Sequence, residues 1–181
     1  MSRVASITTQ DATGTTRELL TDITAAFGVT PAMFRAVANS PAALTMMWGA
    51  FGALGAGRLP AKLGEQIAVM VADRNSCEYC LAAHTALGRK AGATTAEMSQ
   101  AQAGNSEDPR TAAALGFAHA LVEQRAQVGD EDFTRLRAVG FDDEEIVELI
   151  AHVALNLFTN YVNVALQVPL DFPKVRLLAA R

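Results

Sequence analysis

The stretch Glu65–His84, EQIAVMVADRNSCEYCLAAH, gathers both cysteines of the chain, one of its three histidines and a glutamate set in an apolar run. With Leu63 just before it, Ile67, Met70 and Val71 form an apolar stripe at helical spacing, which predicts a helix from Ala61 to Arg74 after Leu59-Pro60. Asn75-Ser76-Cys77-Glu78 has the form of a capping box, so a second helix is expected to begin at the cysteines and run to Arg89 or Lys90, where Gly92 ends it. The stretch reads as two helices with a pair of thiols at the bend between them.

Outward from it, the punctuation is helical. Thr30-Pro31 and Ser40-Pro41 each place a capping residue before a proline suited to the first helical position. The helix begun at Ser40 is expected to continue through ALTMMWGAFGAL and to dissolve in Gly55-Ala56-Gly57. Thr94-Thr95-Ala96-Glu97 is a further capping box, Arg110 to Gln127 an amphipathic helix, and Asp130 to Val139 a shorter one. Asp142-Asp143-Glu144-Glu145 caps the last long helix, to about Leu166, and the tail VPLDFPKVRLLAAR, with two prolines, is expected to drape over a neighbour. No alternating strand pattern competes. The expected fold class is all-α, with residues 1–14 a flexible lead-in and 15–181 a single helical domain carrying the redox motif at 65–84. Aligning Glu65 with Glu144 sets Cys77 against Asn156, Cys80 against Thr159 and His84 against Asn163. That echo reads either as a duplicated helical unit or as chance likeness between amphipathic helices.

At 181 residues the chain fits one domain that buries roughly 70% of its unfolded surface. A net charge of −4 leaves no basic footprint for nucleic acid, and no Lys/Arg-rich amphipathic stretch suggests a membrane surface. The N-terminal MSRVASITTQDATG lacks the apolar core of a signal peptide, and no run of about eighteen uncharged apolar residues is found. A cytoplasmic protein is the expectation. Both cysteines lie in one C-x-x-C, so they cannot staple distant segments of the chain; in a reducing compartment that spacing points to reactive or metal-bound thiols.

A helix starting near Cys77 aims its unpaired N–H groups and the positive end of its dipole at the sulfurs, which favours a thiolate. The three-residue separation places Cys77 and Cys80 on one face, and His84 follows Cys80 at i+4, within reach to take and return a proton. If the two helices pack as a hairpin, Glu65 reaches back to orient His84. Zinc is the rival, with Cys77, Cys80 and His84 as ligands but no fourth nearby. Haem attachment is excluded because Leu81, not histidine, follows Cys80. Tyr79 is either packing or an accessory hydroxyl. His119 and His152, in apolar surroundings, read as core or interface histidines; Met46, Met47 and Trp48 as core or subunit contact; and the run Asp142 to Glu145 as capping and solvation.

The stretch Leu59 to Gly92, with Glu65, C-E-Y-C at Cys77–Cys80 and His84 in CLAAHTALGRKAG, resembles the alkyl hydroperoxidase D and carboxymuconolactone decarboxylase superfamily, particularly its peroxidase-related branch. LRAVGFDDEEIVELIAHVALNLFTNYVNVAL resembles the C-terminal helical half of the same group more loosely, so the likeness covers most of residues 30–165. The resemblance implies a hydroperoxidase D-like helical fold that assembles into homo-oligomers. It also implies a cysteine peroxidase that reduces a hydroperoxide, is fed by a dithiol or disulfide-reductase donor, and needs no cofactor. By the same resemblance Cys80 is the peroxidatic thiol, Cys77 the resolving thiol, His84 the general base and acid, and Glu65 part of the proton relay. The chain departs from the family in placing Tyr79 where hydroperoxidase D proteins carry a histidine, one ionisable group fewer. The decarboxylase branch lacks the cysteine pair, which disfavours the lactone reaction. Two other readings use the same residues: a disulfide oxidoreductase with little peroxide turnover, and a non-catalytic redox sensor or zinc-binding helical oligomer.

Overall fold

The computed structural model describes residues 2–178. Its elements are α1 (Gly14–Phe27), α2 (Ala32–Val37), α3 (Pro41–Gly55), α4 (Ala61–Arg74), α5 (Glu78–Lys90), α6 (Thr95–Gln102), α7 (Pro109–Glu123), α8 (Asp130–Ala138) and α9 (Asp143–Leu166); among the described residues there is no strand. The all-α expectation holds.

The core is built around α4. From Gln66 to Asp73 every residue of this helix is buried, and a helix covered on all sides belongs at the centre. It packs against α5, α6, α7 and α9. Its partner α5 folds back along it, bringing His84 and Gly88 of α5 beside Glu65.

The bend between them differs from the expected capping box. Asn75 closes α4 instead, donating from Nδ2 to Val71 O at 2.9 Å and to Asn160 Oδ1 at 3.1 Å. Ser76 takes a left-handed φ of 54°, which turns the chain before the new helix starts. The residue that caps α5 is Cys77, whose Sγ accepts from Cys80 N–H at 3.2 Å. Glu78 pairs with Lys174 at 3.2 Å rather than with the cap.

Thr94 with Glu97 and Asp142 with Glu145 form the expected capping boxes of α6 and α9. The helix expected from Arg110 to Gln127 stops at Glu123, because Arg125 and Ala126 adopt left-handed conformations. The internal echo is not a repeated unit. Residues 61–90 form two helices with a bend, whereas 143–166 form one unbroken helix. The positions aligned with Asn75-Ser76 are Ala154-Leu155, good helix formers that give no reason to turn.

By length and composition α9 could cross a bilayer. Its packing against α4, α7 and α5 instead makes it a core helix, with a polar strip of Asn156, Thr159, Asn160 and Asn163 buried on one face.

Both ends of the described chain lie on the helices. In the lead-in, Arg3 N–H donates to Leu166 O at 2.8 Å and Ile7 N–H to Arg35 O at 3.0 Å. The tail drapes over this same chain. Asp171 accepts from Ala32 N–H at 2.6 Å, and the buried Asp73 accepts from Leu178 N–H at 3.0 Å and from Gln102 Nε2 at 2.7 Å. Residues 179–181 of the expected tail lie outside the described residues.

Candidate active site

Cys77 and Cys80 stand as a disulfide pair at the start of α5, with Cα atoms 5.4 Å apart, within the normal range for a bridge. Both are buried, at 1% and 2% exposure. The first turn of α5 directs its N–H groups at this end of the helix, so a thiolate released here is stabilised by the helix dipole. A further donor comes from α9. Asn163 Nδ2 lies 3.2 Å from Cys80 Sγ, 3.1 Å from Met33 Sδ and 2.9 Å from Thr159 O.

One helical turn beyond Cys80, His84 Nδ1 stands 2.7 Å from Glu65 Oε2. The contact is sheltered, with the His84 and Glu65 side chains 12% and 23% exposed. The carboxylate therefore orients the ring as the hairpin packing predicts. A neutral imidazole that donates from Nδ1 keeps Nε2 as its basic nitrogen.

Cys80, His84 and Glu65 share a cavity of about 260 Å³. Its wall is aromatic: the ring of Phe34 lies 5.7 Å from Phe27, 5.8 Å from Trp48 and 6.1 Å from Phe51, centre to centre. Trp48, expected as core or subunit contact, lines this cavity because α3 turns that face toward Phe34 of α2, while Met47 is buried in the core and Met46 is half exposed.

Tyr79 packs into the cavity wall. Its ring packs edge-on against Phe172 at 5.6 Å, and its hydroxyl accepts from Met33 N–H at 3.3 Å. Burial pushes its phenol far above the ordinary range, so it remains a neutral part of the wall. It does not replace an ionisable histidine.

The other two histidines differ. His119 is exposed on α7, with Nε2 3.9 Å from Glu123, and does not reach the site. His152 on α9 is partly buried and shares a second cavity with Glu65 and His84. Burial is the main cause that lowers its pKa. Among the described residues no group of three or more His, Cys, Asp or Glu is arranged to hold a metal ion.

Asn163, Phe34 and Trp48 are the site residues that sequence reasoning missed. A signal existed for Asn163: polar residues at 156, 159, 160 and 163 repeat on one face of an otherwise apolar helix.

Residues 40–123, which hold Glu65, both cysteines and His84, match the family model of the carboxymuconolactone decarboxylase family. Among solved structures, the alkylhydroperoxidase AhpD core of a peroxidase-related protein from Ralstonia eutropha superposes with a TM-score of 0.86 at 24% identity, over 94% of this chain and 92% of that one. A peroxidase-related protein from a Silicibacter species gives 0.79 at 23% identity, over 93% and 91%. The debrominase Bmp8, in a complex with 2,3,4-tribromopyrrole, gives 0.78 at 20% identity, over 94% of each chain. No curated protein matches the sequence significantly. The fold is the AhpD-like helical fold, and the stretch that carries the thiols, Glu65 and His84 is similar to the carboxymuconolactone decarboxylase family.

Proposed function

We propose that the protein is a thiol-dependent reductase of apolar organic hydroperoxides. The observation that carries the reading is the Glu65–His84 hydrogen bond placed one helical turn from the Cys77–Cys80 pair, with Glu65, His84 and Cys80 facing an aromatic cavity.

In the reduced enzyme His84 takes the proton of Cys80, and Glu65 stabilises the imidazolium. Asn163 and the first turn of α5 hold the thiolate. The thiolate attacks one peroxide oxygen, the O–O bond breaks, and the leaving alkoxide takes the proton back from His84. Cys80 is then a sulfenic acid. The Cys77 thiol attacks its sulfur, an S–S bond forms and water leaves. An external dithiol reduces the disulfide by exchange. The sum is one hydroperoxide and one dithiol giving an alcohol, water and a disulfide. No metal or organic group takes part.

The aromatic wall favours an organic hydroperoxide over hydrogen peroxide, since apolar surface gains from burial against Phe34, Trp48 and Phe51. A pair that must be reduced again after each turnover suits the reducing cytoplasm. Val147, Ile150, Tyr161 and Val164 leave an exposed apolar face on α9, which supports assembly of several copies.

The test is hydroperoxide consumption with a panel of dithiol donors. Turnover in the wild type and its loss in Cys80→Ser support the reading. Disulfide exchange without peroxide consumption would favour the plain oxidoreductase instead, and stoichiometric zinc with unreactive thiols the metal-binding oligomer.

A second reading rests on the same cavity and the likeness to Bmp8: a halogenated aromatic ring as substrate. There the Cys80 thiolate would take the halogen as the ring carbon takes a proton, and Cys77 would displace halide to form the same disulfide. Release of bromide from tribromopyrrole under dithiol would favour this reading.

A further inference from the structure

Cys80 opens onto an apolar cavity that a bound substrate would fill, yet each cycle removes a proton from this thiol and must later restore one. The dithiol donor brings two electrons and two protons, and one of those protons has to reach the buried sulfur. The substrate cavity offers few polar groups along which it could travel.

The Glu65–His84 pair has another side. Beyond it lies a separate cavity of about 140 Å³, lined by Gly64, Glu65, His84, His152 and Asn156 among others. Phe51, Glu65 and His84 border both cavities, so the pair forms part of the partition between them. The second cavity has room for several water molecules.

We propose that His152 is a positioning residue for proton traffic, exchanging protons with the Glu65–His84 pair through this second cavity while the substrate cavity stays dry. The proposal rests on reading Cys80 as a redox thiol served by His84. Three observations carry it. First, His152 Nε2 is buried with no hydrogen-bond partner among the described residues, an unusual state for a ring nitrogen in a packed core. Second, the ring is flanked by charge from each side: Glu65 of α4 and Glu148 of its own helix favour its protonated form, while His84 of α5 opposes it. Glu148 is itself anchored, accepting from Arg58 N–H at 2.8 Å and Leu59 N–H at 3.0 Å in the loop that leads to solvent. Third, Gly64 makes space for the ring. A Cβ at that position would stand 3.1 Å from His152 Cε1, so the residue next to Glu65 has no side chain where the imidazole lies.

The experiment compares wild type with His152→Gln, which keeps size and polarity but does not titrate. Two rates are followed: hydroperoxide turnover, and reduction of the Cys77–Cys80 disulfide by dithiothreitol, read by stopped-flow fluorescence of Trp48. In His152→Gln, kcat is expected to fall about tenfold with KM unchanged, to recover on addition of imidazole, and to lose its dependence on pH below neutrality. Should that variant fail to fold, Gly64→Ala, which displaces the ring and keeps every titrating group, is expected to lower both rates in the same direction. An unchanged kcat, or a loss that imidazole does not restore, overturns the proposal. If the wild type consumes no hydroperoxide while dithiothreitol still reduces its disulfide, the functional reading fails; the proposal then stands or falls on the disulfide-reduction rate of His152→Gln alone.

Discussion

Asn163 Nδ2 points at Cys80 Sγ from 3.2 Å, so the longest helix of the fold donates a hydrogen bond to the sulfur at the start of α5. A donor aimed at a thiolate is worth more than one aimed at a neutral thiol.

Asn163→Leu removes that donor while keeping the volume. The rate at which iodoacetamide alkylates reduced Cys80 at neutral pH should fall by about tenfold, and its rise with pH should move to more alkaline values. Measuring the reaction in a Cys77→Ser background isolates the one sulfur. Unaltered alkylation would show that α5 and His84 suffice to hold the thiolate.

Glu65→Gln keeps a hydrogen-bond acceptor beside His84 but removes the charge that stabilises an imidazolium. Peroxide turnover should fall by about tenfold to a hundredfold, with little change in KM. Steady-state kinetics at several hydroperoxide concentrations separates the two constants; a rise in KM alone would place Glu65 in substrate binding.

Trp48→Ala opens the aromatic wall. The ratio of kcat/KM for cumene hydroperoxide to that for hydrogen peroxide should drop by about tenfold, because lost apolar contact weakens the bulky substrate and leaves the small one untouched. Equal loss for both peroxides would mean that Trp48 serves stability instead.

His152 has a further consequence for stability. Burial depresses its pKa below the ordinary value of 6.5 in the folded protein. Above 6.5 neither the folded nor the unfolded chain protonates it, so no stability is lost there. As pH falls below that value the unfolded chain takes up a proton that the folded one refuses, and the folded state weakens until its own lowered pKa is reached. The urea midpoint should therefore drop as the pH falls below about 6.5, and drop less in His152→Gln. Equal drops in the two proteins would assign the acid sensitivity to other groups.

Much of this was legible in the residues because the signals were local. Pro60 and the apolar stripe located α4; the Thr94–Glu97 and Asp142–Glu145 boxes started α6 and α9 where they are found; the i+4 step from Cys80 placed His84. The bend was misread because Asn75 can serve either end of a helix, and only the left-handed Ser76 decides which. Asn163 and Trp48 were missed for a different reason. Each reaches the site across tertiary packing from α9 or α3, and no spacing along the chain reports such an approach. The echo between α5 and α9 did set His84 against Asn163. Both prove to line the same cavity, one from each side, though not as copies of one unit.

The central claim is that Cys80 is the thiol oxidised by the substrate and Cys77 the one that resolves it. Reduced Cys77→Ser and Cys80→Ser proteins treated with cumene hydroperoxide in the presence of dimedone, and then weighed by intact mass spectrometry, test it directly. One dimedone adduct is expected on Cys77→Ser, mapping to Cys80, and none on Cys80→Ser. An adduct at Cys77 in Cys80→Ser, with Cys77→Ser unlabelled, would contradict it.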